Sequence, residues 1–135
     1  GDVYDLIHRL LPDDVFGIFL NPGHLIAYEE WMSSPIAEGS DDVLRSGMVF
    51  QVDIIPSHPV YGSTRMEEGI VVADAALQAE LAARHPGVLR RCQARRAFMR
   101  DTLGYAVPDT VLPLADMAGI VNPFLLSPRQ AVALR

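Results

Sequence analysis

The strongest strand signal in the chain is the segment MVFQVDII, residues 48–55. It is rich in β-branched and aromatic residues, which pack well on a half-buried pleated surface. Pro56 ends this strand, and a second strand is predicted over residues 64–73. The connection between them is long enough for antiparallel neighbours and too short for a parallel crossover. The sequence therefore predicts an antiparallel strand pair at its centre.

Helical and strand patterns flank this pair and indicate an α+β domain. Helices are predicted over residues 2–11, 75–85 and 88–103, and a further strand over residues 24–28. Asp74 is the expected N-cap of the second helix, and Pro86-Gly87 is expected to end it. The third helix carries an apolar stripe of Val88, Cys92, Met99 and Leu103. From Pro108 onward, frequent prolines predict an extended tail.

Composition limits the classes of protein to which the chain can belong. Its 135 residues are 50% hydrophobic and 21% charged, which is typical of a single globular domain. The net charge of −6 argues against nucleic acid as a partner, and no apolar run is long enough to span a membrane. A single cysteine excludes an internal disulfide, and residues 1–5 carry two acids and no base. No signal peptide is therefore expected, and the cytoplasm is the expected compartment.

An acidic residue lies in the middle of the central strand, where it needs a compensating partner. Asp is a poor strand former, and an ionised carboxylate in a buried strand costs several kcal/mol when nothing pairs with it. Three partners would neutralise Asp53: an arginine such as Arg65, a hydrogen-bond network or a metal ion. An antiparallel pairing can also bring Asp53 beside Glu67, where two carboxylates repel each other.

A divalent cation would relieve this repulsion, because hard cations prefer carboxylate oxygen ligands. His24, which follows the Asn-Pro-Gly turn, would add a nitrogen ligand. The alternatives are a buried ion pair of Asp53 with Arg65, a solvated edge at Glu67 and Glu68, and a structural role for His24. Residue patterns alone leave these alternatives open.

Three segments resemble the C-terminal part of the pita-bread metallopeptidase family, which includes Xaa-Pro aminopeptidases, prolidases, methionine aminopeptidases and creatinase. They are PGHLI (residues 22–26), LRSGMVFQVD (residues 44–53) and RMEEGIVV (residues 65–72). Family members commonly show Gly-His-x-Ile-Gly, then Leu-x-x-Gly-Met-Val-Phe-x-x-Glu-Pro, then Arg-x-Glu-Asp-x-x-x-Val. The segments occur in the family's order, and the resemblance covers about residues 20–74.

The resemblance implies a fold, a chemistry and a set of site residues. The fold is a curved antiparallel sheet backed by helices, and His24, Asp53 and Glu67 are the implied metal ligands. The implied metals are manganese, cobalt or zinc, which activate water for attack on a peptide bond near the N-terminus of a peptide substrate. Trp31 and Arg65 are the implied substrate-binding residues, whereas no catalytic residue is assigned.

The sequence also departs from the family pattern. Active members take two further aspartate ligands from an earlier half of the domain, and no region of this chain matches that half. Trp31 replaces a second histidine, although indole cannot carry protons as imidazole does. Asp53 replaces a glutamate and is one methylene shorter.

These departures predict a single, incomplete domain over residues 1–135. Residues 1–73 would form the strand-rich site region, and residues 74–135 a helical and extended C-terminal part. One hypothesis is a C-terminal fragment of an Xaa-Pro aminopeptidase-like enzyme, which is inactive alone and which, with three of the family's ligands, holds a divalent metal more poorly than the complete protein does. The other is a non-catalytic binding module for peptides or proteins. An incomplete sheet exposes edges, so we expect a homodimer or pairing with the missing half.

Overall fold

The computed structural model describes residues 1–18, 20–26, 32–60, 62–63 and 67–115. These residues form a four-stranded antiparallel sheet, a separate two-stranded hairpin and four helices, so the fold is of the predicted mixed α+β class. In chain order the elements are α1 (Asp2–Leu10), α2 (Asp13–Phe16), β1 (Gly23–Leu25), β2 (Val49–Asp53), β3 (Ser57–His58), β4 (Gly62–Ser63), β5 (Glu67–Val72), α3 (Ala75–Arg84), α4 (Pro86–Asp101) and β6 (Val111–Pro113).

The four-stranded sheet has the order β1-β2-β5-β6, and each neighbouring pair is antiparallel. Its central pair, β2 and β5, is the pair that the sequence predicted. The register sets Phe50 opposite Ile70 and Asp53 opposite Glu67, which confirms the predicted juxtaposition of the two acids. Within the described residues, β2 ends at Asp53 and β5 ends at Val72, so both end before the predicted ends at residues 55 and 73. Residues 64–66 of the second predicted strand lie outside the described residues.

The outer strands of the sheet are short. Strand β1 covers the described start of the strand predicted over residues 24–28 and pairs with β2. Strand β6 lies against β5 and ends at Pro113, a residue that an edge strand tolerates because one side of its backbone makes no ladder bonds. It belongs to the predicted extended tail, of which residues 108–115 are described and residues 116–135 lie outside the described residues.

The connection between β2 and β5 has more structure than its turn-like composition predicted. Residues 57–63 contain the hairpin β3–β4, in which Ser57 pairs with Ser63 and His58 with Gly62. Two-residue strands are too short to show an alternating apolar pattern, so periodicity could not reveal them. Gly62 has a φ of +76°, a left-handed conformation that glycine adopts at no steric cost.

Helices α3 and α4 are nearly continuous in sequence, and Pro86 has a different role from the one predicted. It was expected to end α3, but it occupies the start of α4, where the missing N–H of proline has no cost. The predicted apolar stripe is wrong at Val88, which is 41% exposed, whereas its neighbour Leu89 is buried. Because an α-helix has 3.6 residues per turn, its buried face shifts by about one residue along a helix of this length, so the residue that faces the core near the start of α4 is Leu89 and not Val88.

The main apolar core lies between the sheet and the two long helices. Ala73, Leu89, Cys92 and Leu112 form one buried cluster, and Val71, Leu77 and Leu81 pack against it. Cys92 therefore acts as a small apolar core residue. Phe50, at the centre of β2, is the largest side chain that is almost completely buried, at 1% exposure. None of the described helices combines the length and the apolar character that a membrane crossing requires.

Asp74 caps α3 as predicted, and this contact should make stability depend on pH. The backbone N–H of Leu77 donates to Asp74 Oδ1 over 2.8 Å, which lowers the pKa of the Asp74 carboxyl group. A group with a lowered folded-state pKa stabilises the fold above its ordinary pKa, and this contribution is lost as the pH falls through the folded value. We expect D74A to lower the melting temperature near neutral pH and to have a smaller effect below about pH 4.

Thermal unfolding followed by circular dichroism measures this difference. The control is D74N, because asparagine caps helices without a charge and should lose little stability at either pH. If D74A lowered the melting temperature as much at low pH as at neutral pH, this would contradict the assignment of Asp74 as a charged N-cap.

Candidate metal site

The turn before β1 brings His24 close to the central strand. Pro22 is fully buried, and Gly23 lies against β2 and the side chain of Ile36. A Cβ atom on Gly23 would lie 3.1 Å from the carbonyl oxygen of Gln51 and 3.0 Å from Ile36 Cδ1, so no larger residue fits without a shift. The Pro-Gly sequence thus lets β1 approach β2 closely enough for His24 to pair with Gln51.

A backbone contact sets the protonation pattern of His24. Its Nδ1 lies 3.2 Å from the carbonyl oxygen of Leu25, and because a carbonyl only accepts, Nδ1 carries the hydrogen. In the neutral ring, Nε2 then holds the lone pair. The residue is 8% exposed, and Nε2 lies 4.0 Å from Asp53 Oδ2. A metal-ligating histidine usually donates one ring N–H to a carbonyl or carboxylate and binds the ion through its other nitrogen, so the Leu25 contact leaves Nε2 of His24 available as a ligand.

The two predicted acids complete a three-residue cluster with His24. One ligand atom from each of His24, Asp53 and Glu67 lies within 4.8 Å of the other two. The Asp53 side chain is 12% exposed, whereas Glu67 is exposed. Two carboxylates this close repel each other when both are ionised, and a cation between them would remove the repulsion. This cluster is the only such group of potential ligands within the described ranges.

The spacing of these atoms fits a small divalent ion. Nitrogen and oxygen ligands lie about 2.0–2.2 Å from ions such as zinc, so two ligands of one ion are at most slightly more than 4 Å apart. The 4.0 Å between His24 and Asp53 is within this limit. The three ligand atoms lie within 4.8 Å of one another, so binding a single ion requires a ligand atom to move by less than about 1 Å. The exposed Glu67 side chain permits this movement.

A cavity of about 300 Å³ opens beside the cluster. Its lining includes His24 and Asp53 together with Leu20 and Asn21, two residues that sequence reasoning did not select. Leu20 is 56% exposed and has a φ of +67°, a conformation that is rare for a branched side chain. Backbone strain of this kind often occurs at ligand-binding sites. In the sequence, the only indication of a role for Leu20 and Asn21 was their position directly before Pro22-Gly23.

The other candidate residues fall into different environments. Trp31 and Arg65, the predicted substrate-binding residues, lie outside the described residues, and so does the proposed ion pair of Asp53 with Arg65. Glu68 is 4% exposed, so the interpretation of Glu67 and Glu68 together as a solvated edge is wrong for Glu68. A second arginine that could pair with these acids by sequence, Arg45, is exposed and forms no ion pair within the part of the chain that the structure describes.

Among the described residues, no further acidic side chain joins this cluster as a ligand. The four acids of residues 1–18 lie on helices α1 and α2 rather than on strands: Asp2, Asp5, Asp13 and Asp14. None of them joins the cluster of His24, Asp53 and Glu67. The described residues therefore supply three ligands, with room for water or a ligand from another segment.

No family model, no curated protein and no solved structure matches this chain.

Proposed function

We propose that the chain is the C-terminal part of the catalytic domain of an Xaa-Pro aminopeptidase-like metallopeptidase with a pita-bread fold. The observation that supports this best is the His24–Asp53–Glu67 cluster, with one ligand atom from each residue within 4.8 Å of the others. These are the three positions that the family resemblance selects as ligands. The antiparallel β2–β5 register supports the proposal further, because it sets the two acids on directly opposed residues.

Each residue of the site has a distinct role in this proposal. Asp53 and Glu67 supply negative charge, and His24 supplies a neutral nitrogen whose orientation is fixed by Leu25. A bound divalent ion would contribute Lewis-acid polarisation of a water molecule and of the substrate carbonyl. Leu20 and Asn21, on the wall of the adjacent cavity, are positioned to contact the N-terminal residue of a peptide substrate.

The proposed site is incomplete on this chain alone. Three protein ligands bind a divalent ion more weakly than the five of active family members, and a two-metal mechanism needs both ions. We propose that a second segment, from the missing half of the domain or from a partner chain in a homodimer, completes the site. A cytoplasmic location is part of the same proposal, since the single buried cysteine requires no oxidising compartment.

A combined binding and activity measurement tests the proposal. We expect isothermal titration with Mn²⁺ to show binding of one ion, because the cluster offers three ligands of the appropriate type. The same Mn²⁺-loaded chain should hydrolyse an Xaa-Pro dipeptide slowly or not at all. Robust turnover would contradict the incomplete-site account, whereas the absence of binding heat at millimolar Mn²⁺ and Co²⁺ would contradict the metal site itself.

A non-catalytic binding module is the second candidate. Two substitutions favour it: Trp31 in the position of a histidine and Asp53 in the position of a longer glutamate. Such a domain would bind peptides or proteins in the cavity beside His24 without a metal. Peptide binding that is unchanged by EDTA, together with no metal binding, would favour this candidate over the metallopeptidase fragment.

A further inference from the structure

Charge is divided unevenly along the chain. Residues 1–74 contain 13 acidic residues and three arginines, whereas residues 75–135 contain four acidic residues and eight arginines. The first part therefore has a net charge of −10 and the second part +4, although the whole chain is at −6. Such an asymmetry indicates two surfaces of opposite sign, each suited to a charged partner.

Helix α4 concentrates the positive charge. It carries five arginines (Arg90, Arg91, Arg95, Arg96 and Arg100) and one acid, Asp101. Two of them stabilise the fold: Arg96 donates to the carbonyl oxygen of Val111, and Arg100 forms an ion pair with Asp109 over 2.9 Å. These contacts attach α4 to the segment that leads into β6, so both arginines are occupied.

The side chains of the remaining three arginines form no hydrogen bond or ion pair within the described residues. Arg90 and Arg91 are exposed, and Arg95 is half-buried. The guanidinium groups of the first two converge, because Arg91 Nη1 and Arg90 Nη2 lie 3.7 and 3.9 Å from the position that a Cβ atom on Gly87 would take. The two neighbouring guanidinium groups repel each other, and an anionic partner would offset this repulsion.

A complementary surface exists on the acidic part of the same chain. A cavity of about 280 Å³ is lined by Asp2, Asp41 and Asp42 together with the apolar residues Ile36, Val43 and Leu44. Asp41 and Asp42 are exposed and form no ion pair among the described residues, and Val43 is 66% exposed. An arginine side chain suits such a groove, since its stem packs on apolar surface while its guanidinium binds carboxylates.

We propose that helix α4 of one molecule docks, through Arg90 and Arg91, into the groove formed by Asp41, Asp42 and Val43 of a second copy of this chain. The contact joins two different surfaces, so it is head-to-tail and produces either closed rings or open chains. It is independent of the metal site, because none of His24, Asp53 and Glu67 lines the groove or lies on α4. The charge difference between the surfaces would also speed association at low ionic strength.

Sedimentation velocity at tens of micromolar protein, in EDTA, tests the proposal. We expect assemblies in about 20 mM NaCl and monomers in about 500 mM NaCl, where exposed charges are screened. R90E/R91E should be monomeric at both salt concentrations, with an affinity at least about tenfold lower. The matched control is R9E/R45E, which changes the net charge by the same amount within the acidic part and should still assemble.

Mixing two variants distinguishes docking between copies from binding to another polyanion. We expect D41R/D42R alone to be monomeric, like R90E/R91E alone, whereas the two reversed surfaces should pair with each other in a mixture. Circular dichroism spectra like that of the original chain exclude unfolding as the cause. Monomers at every salt concentration, salt-insensitive assembly, no complex in the mixture, or arginine-dependent binding only to a DNA oligonucleotide would each overturn the proposal.

Discussion

Replacement of Glu67 by glutamine is expected to weaken Mn²⁺ binding to this chain by roughly 100-fold or more, since loss of even an outer-shell partner costs roughly 10- to 100-fold. Glutamine keeps the size of the side chain but removes the negative charge that balances the ion. H24A should have a similar effect, because it removes the only nitrogen in the cluster. Isothermal titration measures the affinities. The control is E38Q, the same change at an exposed glutamate outside the cluster.

The same variant should separate metal binding from fold stability. In EDTA we expect E67Q to melt no lower than the original chain, because it removes one of two neighbouring like charges. With Mn²⁺ at about 100 times its dissociation constant, binding should stabilise the original chain by about 2.7 kcal/mol and leave E67Q unchanged. Equal Mn²⁺ affinities of E67Q and the original chain would contradict the assignment of Glu67 as a ligand.

The second large effect is expected at Phe50, the largest side chain buried at the centre of β2. F50A should cost about 3–5 kcal/mol, because it removes a buried ring and leaves a cavity. A domain of this size has a total stability of about 5–15 kcal/mol, so the variant is expected to be partly or wholly unfolded. Phe50 lies on β2 and pairs with Leu25 of β1 and Ile70 of β5, so its loss also disturbs the three strands that carry the site residues.

Urea denaturation measures the loss of stability at Phe50. The matched control is V60A, which truncates an apolar side chain that is 76% exposed and should change the stability by less than about 0.5 kcal/mol. A cost below about 1 kcal/mol for F50A would mean that β2 is not the centre of the packed sheet.

The part of the site on β2 and β5 could be predicted because strands alternate with a strict period of two. The segment around Asp53 is strongly strand-forming, and a short connection dictates an antiparallel partner. These two facts allow the pairing of Asp53 with Glu67 that the structure shows. The position of His24 was different, because nothing in local periodicity reveals which strand occupies an edge of the sheet. Its place after the Asn-Pro-Gly turn and the family resemblance selected His24, not the strand pattern.

Features that depend on tertiary packing could not be predicted from the sequence. The hairpin β3–β4 consists of two-residue strands whose pairing has no periodic signal. The choice between Val88 and Leu89 as the buried residue of α4 depends on how the helix is rotated against the sheet. The conformation of Leu20 at the cavity wall is set by its surroundings rather than by leucine's own preferences.

Anomalous X-ray diffraction from a crystal of this chain soaked in Mn²⁺ tests the metal site most directly. We expect one manganese peak about 2.0–2.3 Å from His24 Nε2 and from carboxylate oxygens of Asp53 and Glu67. A peak bound to other residues, or an empty cluster at saturating Mn²⁺, would contradict it.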